Sequence, residues 1–144
     1  GGRMLVNGNF GTMGYALPAA LGAAIADPER PVVCYIGDGA FMMMLQEVET
    51  AVRLDLPVLV VVYNDESYGI IRHRQQLEEG RTTAAEYDSP DFATVARGLG
   101  ADAATVRSVA DFEALDADVA DLDGPLLVDA RTDPSVSRPG FPPY

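Results

Sequence analysis

The strongest constraint on the fold comes from two short apolar runs, residues 32–36 and 58–63, both rich in valine. Continuous apolar runs of this length are typical of strands that are covered on both faces, as in a parallel sheet. Residues 41–54, between the two runs, have the spacing of an amphipathic helix. The apolar positions of this helix are Phe41, Leu45, Val48 and Val52. The pattern predicts a strand–helix–strand unit with a right-handed crossover.

An acidic turn follows each predicted strand, Gly37-Asp38-Gly39 after the first and Asn64-Asp65 after the second. Because α/β sheets bind ligands outside the carboxyl ends of their strands, both aspartates are expected at one edge. Two like charges about 4 Å apart repel by roughly 4 kcal/mol at an effective dielectric constant near 20. A magnesium ion would remove that cost, and it prefers oxygen ligands that it shares with phosphates. Either turn alone is common in proteins, so the prediction of a magnesium–diphosphate site depends on their joint placement.

Glycines and backbone amides beside the first aspartate suit a phosphate. Gly37 and Gly39 allow a sharp turn and a close approach to a ligand. The amides of Gly39, Ala40 and Phe41 begin the predicted helix, where phosphate binding is favoured. One strand–helix–strand unit would therefore supply both a metal ligand and phosphate-binding amides.

The remaining pattern predicts an α/β domain over residues 1–132, followed by an extended, proline-rich tail over residues 133–144. Further strands are expected at residues 4–7, 104–106 and 126–129. Further helices are expected at residues 18–26, at 68–79 ending at Gly80, and at 91–99 capped by Ser89 or started by Pro90. A last helix is expected after a capping box of Ser108 and Asp111. Its apolar face would consist of Phe112, Leu115, Val119 and Leu122.

Composition excludes several classes of partner. The net charge of −12 argues against nucleic acid and against anionic membrane surfaces. No apolar run is long enough to span a membrane and no signal-peptide pattern is visible, which favours a cytoplasmic protein. The single cysteine, Cys34, is expected in the core, and no disulfide framework can form.

The acidic turns and their surroundings resemble the diphosphate-binding motif of thiamine diphosphate enzymes. The matching residues are Gly37-Asp38-Gly39-Ala40-Phe41, Gln46-Glu47, Leu56-Pro57 and Asn64-Asp65-Glu66-Ser67-Tyr68-Gly69. The segment from Gly11 to Ala23 resembles the acetolactate synthase and 2-oxo acid decarboxylase branch of this family. The resemblance is strong over about residues 8–77. It implies a three-layer α/β fold, with a mostly parallel sheet flanked by helices, that lacks its usual first strand and helix here.

The resemblance implies a role for each matching residue. Magnesium would be held by Asp38, Asp65 and the backbone carbonyl of Ser67, although the family usually has asparagine where this chain has Asp65. The residues at the diphosphate would be Gly39 and Ala40 through their amides, with Tyr68 and Gly69 nearby.

A second group of residues would hold the organic part of the cofactor. The Gly11 carbonyl would accept a hydrogen bond from its aminopyrimidine, with Thr12 beside it. Met13 would be the bulky wedge that bends the cofactor into its V-shaped form, which brings the exocyclic amine near the reactive thiazolium carbon.

The resemblance also implies what this chain lacks. No catalytic residue is expected in it, because the activating glutamate comes from a pyrimidine-binding domain of the same or a neighbouring subunit. We therefore expect a fragment or subunit of a larger enzyme, a homo-oligomer (dimer or tetramer), which is inactive alone. The residues Tyr68-Gly69-Ile70-Ile71-Arg72 and Gln75 look most like acetolactate synthases. The resemblance leaves open the 2-oxo acid, the need for FAD in the full-length enzyme, and a benzoylformate- or indolepyruvate-type decarboxylase.

Two other classes compete with an enzyme of this family. A phosphotransfer or receiver-type domain would also bind magnesium and phosphate on an α/β sheet, but its expected lysine is missing because the chain contains no lysine. A non-catalytic module that binds magnesium and phosphate, or that serves only assembly, is the other alternative. Retention of Asp38, Asp65 and Met13 argues against a purely assembling role.

Overall fold

The computed structural model describes residues 2–8, 10–115 and 121–135. Its centre is a sheet of four strands, in which every pair of neighbours is parallel. The strands are β1 (Val32–Gly37), β2 (Val58–Asn64), β3 (Asp102–Val106) and β4 (Leu126–Arg131). Their order across the sheet is β1-β2-β4-β3, so the strand latest in sequence lies between β2 and β3. The predicted α/β fold with a parallel sheet is confirmed.

Helices flank this sheet. They are α1 (Ala16–Ala26), α2 (Asp38–Met42), α3 (Glu47–Arg53), α4 (Gly69–Glu79), α5 (Phe92–Gly98) and α6 (Val109–Glu113). Helix α4 ends as predicted at Gly80, whose φ of 67° is left-handed and suits glycine. None of the helices described is long and apolar enough to cross a membrane.

The main core lies between one face of the sheet and the helices α1, α3 and α5. Val58 and Val62 of β2 are fully buried there, together with Leu17 of α1. Phe41 packs edge-on against Phe92, with 5.0 Å between the ring centroids. Burial of a phenylalanine side chain contributes about 1.5–3 kcal/mol. Because Phe41 lies in α2, this contact anchors the helix that begins at Asp38.

Two predictions of regular structure are wrong. Residues 4–7 form no strand, and the side chains of Met4, Leu5 and Val6 are exposed. An apolar run becomes a strand only where another strand pairs with it, and none of the described strands does. The predicted helix at residues 41–54 is divided into α2 and α3. Between these helices the chain is tightened by hydrogen bonds to the third preceding residue, such as that from the Met44 amide to the Phe41 carbonyl (2.9 Å).

Smaller differences concern the helix caps and the ends of elements. The cap of α5 is Asp91, not Ser89, and its side chain accepts a hydrogen bond from the Thr94 amide. The Ser108 hydroxyl caps α6 as predicted and accepts from the Asp111 amide at 3.1 Å. Two further predictions fall outside the described residues. They concern Val119, on the predicted apolar face after this cap, and most of the predicted tail.

Candidate functional site

The two predicted metal-binding carboxylates converge on one backbone amide. The Ser67 N–H donates to Asp38 Oδ2 at 3.3 Å and to Asp65 Oδ1 at 3.2 Å. Asp38 follows β1 directly and Asp65 follows β2, and these strands are parallel neighbours, so their carboxyl ends meet. The structure thus brings Asp38 and Asp65 together at one edge of the sheet, as the sequence predicts.

The surroundings of Asp38 disfavour its negative charge. The residue is 3% exposed. Burial raises the pKa of its carboxyl group above the ordinary value, the hydrogen bond from the Gly39 amide opposes this change, and the charge of Asp65 adds to it. A cation between the two carboxylates would favour their charged forms.

The turn that follows β2 has an unusual backbone. Glu66 lies in the left-handed region with φ of 57°, which is uncommon for a residue with a side chain. Ser67 pairs with Glu86 in an antiparallel bridge, whose hydrogen bonds use the Glu66 carbonyl and the Tyr68 amide. The Ser67 carbonyl takes no part in that bridge, which is compatible with its predicted use as a metal ligand.

Glycine is required where α2 meets two tyrosines. A Cβ on Gly39 would lie 2.7 Å from the ring of Tyr68 and 3.3 Å from the hydroxyl of Tyr87. The two rings pack together, with centroids 5.2 Å apart. The Gly39 amide, which the resemblance assigns to the diphosphate, donates to Asp38 Oδ1 at 2.8 Å. Its use by a diphosphate stays a prediction, as does that of the neighbouring Ala40.

Sequence reasoning missed Tyr87. Its hydroxyl is buried near the Asp38 carboxylate, but it makes no hydrogen bond of good geometry to any of the described residues. Burial and the nearby Asp38 charge raise its pKa above the ordinary value, so the hydroxyl keeps its proton and can donate. Tyr87 lies in a polar loop without periodicity, where no local pattern marks it. A donor that Asp38 satisfies only weakly is one that a bound anion or a hydrated cation would satisfy better.

The Gly11–Met13 segment contributes to a separate, open and mostly apolar pocket. Thr12 and Met13 line this pocket with Pro18 and Met44. Gly11 has φ of 58°, a left-handed conformation that suits glycine. The residue after this segment lies close to the turn that follows α2, because a Cβ on Gly14 would be 3.0 Å from the side chain of Met44. Helix α2 and the turn after it therefore connect the carboxylate site to the Met13 pocket.

A polar network that sequence reasoning also missed lies behind the turn. Asp129 of β4 is completely buried and accepts from the Asn64 side chain at 2.9 Å. Arg131, also of β4, contacts Asp129 Oδ2 at 3.0 Å and Glu66 Oε1 at 2.8 Å. The Asn64 side chain also donates to the Ser89 hydroxyl at 2.8 Å. This network ties the turn after β2 to the neighbouring strand.

The donor set fits magnesium. The residues described contain no group of three histidine, cysteine, aspartate or glutamate side chains that could hold a metal ion. The site instead offers two carboxylates, to which the resemblance adds the Ser67 carbonyl. Magnesium is commonly bound by one or two carboxylates and completes its shell with phosphate oxygens and water.

The fold and site define an α/β domain with a parallel sheet, in which two carboxylates lie at the carboxyl edge where such sheets bind their ligands. A family model described as "Thiamine pyrophosphate enzyme, C-terminal TPP binding domain" matches residues 1–130. The chain belongs to this family.

Individual relatives agree with that assignment. The chain is 37% identical over 133 residues to the acetolactate synthase isozyme 1 large subunit of Escherichia coli (strain K12), covering 91% of this chain and 24% of the relative. It is 39% identical over 104 residues to the sulfoacetaldehyde acetyltransferase of Alcaligenes xylosoxydans xylosoxydans, covering 72% and 17%.

A solved structure has the same fold. The thiamine diphosphate-dependent 4-hydroxybenzoylformate decarboxylase of Rhodococcus jostii RHA1 matches with a TM-score of 0.79 and 31% identity, over 85% of this chain and 24% of that one. The chain thus spans about a quarter of the length of such relatives.

Proposed function

We propose that the chain is the C-terminal domain of a thiamine diphosphate- and magnesium-dependent enzyme that acts on 2-oxo acids and resembles acetolactate synthase. The observation that carries this proposal is the convergence of Asp38 and Asp65 on the Ser67 amide. It supports a cation at the sheet edge that would hold the diphosphate. The acetolactate synthases among the relatives favour decarboxylation with carboligation.

The residues of this chain would bind and orient the cofactor. Asp38, Asp65 and the Ser67 carbonyl would hold magnesium, and Gly39 with its neighbours would approach the diphosphate. Met13 would support the bent form of the cofactor. Thiamine diphosphate supplies the nucleophilic carbon that attacks a 2-oxo acid. The pyrimidine-binding domain of the same or a neighbouring subunit would complete the site, in a cytoplasmic homo-oligomer.

A benzoylformate-type decarboxylase is the second candidate. The 4-hydroxybenzoylformate decarboxylase of Rhodococcus jostii favours it, because its fold matches this chain closely. The two candidates differ in substrate and product. Acetolactate formation from pyruvate would support the first, and an aromatic aldehyde from benzoylformate would support the second.

The binding proposal can be tested by titrating the full-length protein with thiamine diphosphate, with and without magnesium. We expect binding that requires magnesium and weakens at least about 100-fold in Asp38→Ala, since a buried ligand is lost. Asp27→Ala is the matched control, because Asp27 belongs to an exposed ion pair with Arg30. Unchanged affinity in Asp38→Ala would contradict the proposal, and binding without any turnover of 2-oxo acids would favour a non-catalytic module.

A further inference from the structure

We propose that Glu66 and Arg131 are positioning residues, whose ion pair holds the turn at Asp65 and Ser67 in the geometry that lets both carboxylates reach one cation. This inference rests on the proposed function, since it concerns the same metal site. Neither residue needs to touch the metal or the cofactor. Their effect would pass through the backbone of the turn.

The position and backbone of Glu66 connect it to both proposed metal ligands of the turn. It lies between Asp65, a proposed metal ligand, and Ser67, whose amide contacts both carboxylates. Its φ of 57° is unfavourable for a residue with a side chain, so surrounding contacts have to maintain it. A change of this backbone angle would rotate the Asp65 side chain and the Ser67 carbonyl relative to Asp38.

Arg131 provides such a contact from a side chain that is itself held in place. Its side chain is 18% exposed and contacts the fully buried Asp129 at 3.0 Å, and its Nη2 donates to the Pro90 carbonyl at 3.2 Å. From there Nη1 reaches Glu66 Oε1 at 2.8 Å. Arg131 is thus fixed to the sheet before it contacts the turn.

Together with Asn64, these contacts close a ring. The Asn64 side chain donates to Asp129 Oδ1 at 2.9 Å, and its own oxygen accepts from the Glu66 amide at 3.3 Å. Glu66 is therefore held at its backbone by Asn64 and at its carboxylate by Arg131. A ring that restrains one residue at two points favours a single conformation of the turn.

The exposure of Glu66 separates positioning from general stabilisation. Its side chain is 52% exposed, and exposed ion pairs contribute little to the free energy of unfolding. Loss of its carboxylate should therefore change the geometry of the turn more than the stability of the fold.

The test is the magnesium concentration that half-saturates thiamine diphosphate binding in the full-length protein, with the melting temperature measured in parallel. We expect Glu66→Ala to raise that concentration about 10-fold, the lower end for residues that orient metal ligands. Glu66→Gln, which can still accept a hydrogen bond from Arg131, should raise that magnesium concentration about 3-fold or less. The melting temperatures of both variants should stay close to that of the parent protein.

A double-mutant cycle links the effect to Arg131. Arg131→Lys keeps a charge beside Asp129 but cannot reach both Asp129 and Glu66. We expect the double variant with Glu66→Ala to lose no more affinity for magnesium than Glu66→Ala alone. Additive losses would overturn the proposal. Glu49→Ala is the matched control, because it removes a similar exposed ion pair, with Arg53, from α3.

Two outcomes separate this inference from the proposed function. If Asp38→Ala abolishes magnesium-dependent binding while Glu66→Ala leaves it unchanged, only the positioning role is wrong. If Asp38→Ala has no effect, the proposed metal site itself is wrong, and the positioning role with it.

Discussion

Gly69 lies so close to Asp65 that a Cβ at Gly69 would be 2.8 Å from Asp65 Oδ2. Real Cβ atoms essentially never approach another atom so closely, so a side chain here would displace the carboxylate. Gly69 is also the first residue of α4, where alanine favours the helix. The first helical position after the turn therefore serves the proposed metal site at the expense of helix propensity.

Gly69→Ala is expected to weaken magnesium-dependent cofactor binding about 10-fold without loss of stability, because the new methyl group displaces a metal-binding carboxylate. Titration and thermal melts of the full-length protein would measure the two effects. Gly22→Ala is the control, since a Cβ there meets nothing within 4 Å in the middle of α1. It should stabilise the protein by about 0.5–1 kcal/mol and leave binding unchanged. Equal affinity of Gly69→Ala and the parent protein would refute the predicted displacement.

Asp65 is expected to tolerate asparagine but not alanine. Asparagine keeps an oxygen that can bind magnesium and makes the site one charge less negative, whereas alanine removes the ligand. We predict that Asp65→Asn keeps cofactor binding and that Asp65→Ala weakens it by more than about 10-fold in a magnesium-dependent titration. If the alanine variant bound as tightly as the asparagine variant, Asp65 would not be a ligand.

Tyr87→Phe should change binding more than stability. Because the buried hydroxyl makes no hydrogen bond of good geometry, its removal should leave the melting temperature of the ligand-free protein close to that of the parent protein. If the hydroxyl donates to the bound diphosphate or to water on the cation, affinity should fall about 10-fold, equivalent to about 1.4 kcal/mol. Tyr63→Phe is the control, because the Tyr63 side chain is exposed and its ring stacks on Tyr35. Unchanged affinity in Tyr87→Phe would exclude this contact.

Cys34 is expected to be unreactive in the folded protein. Burial raises the pKa of its thiol from 9.0 to about 11, so the reactive thiolate is scarce at pH 8. Iodoacetamide should label it slowly in buffer and fully in denaturant, and rapid labelling of the folded protein would disprove the prediction. Because the folded state holds this proton more tightly than the unfolded state, stability should fall as the pH rises from 9 towards 11. Cys34→Ala should remove this part of the pH dependence.

Local sequence patterns predicted the strands and turns whose structure a short stretch of residues determines. The valine-rich runs predicted β1 and β2, and the acidic turns after them predicted the meeting of Asp38 and Asp65. The apolar run at Met4 shows the limit, because a strand also needs a partner that its own residues do not specify.

The missed parts of the site depend on distant contacts. Asn64 meets Asp129, and Glu66 meets Arg131, each across 65 positions of sequence. Tyr87 reaches the site through the antiparallel bridge of Ser67 with Glu86, which joins a loop to the end of a strand. No spacing or composition marks these contacts. The first two pairs arise only because the sheet order places β4 beside β2.

The place of β4 between β2 and β3 has a consequence for the order of assembly. This strand is the latest of the four in the chain, so during synthesis the other three emerge while the centre of the sheet is still open. Its arrival joins the two halves and also delivers Asp129 and Arg131 to the turn that carries Asp65. A growing chain would thus acquire the restraints on its proposed metal-binding turn only when β4 joins this four-stranded sheet.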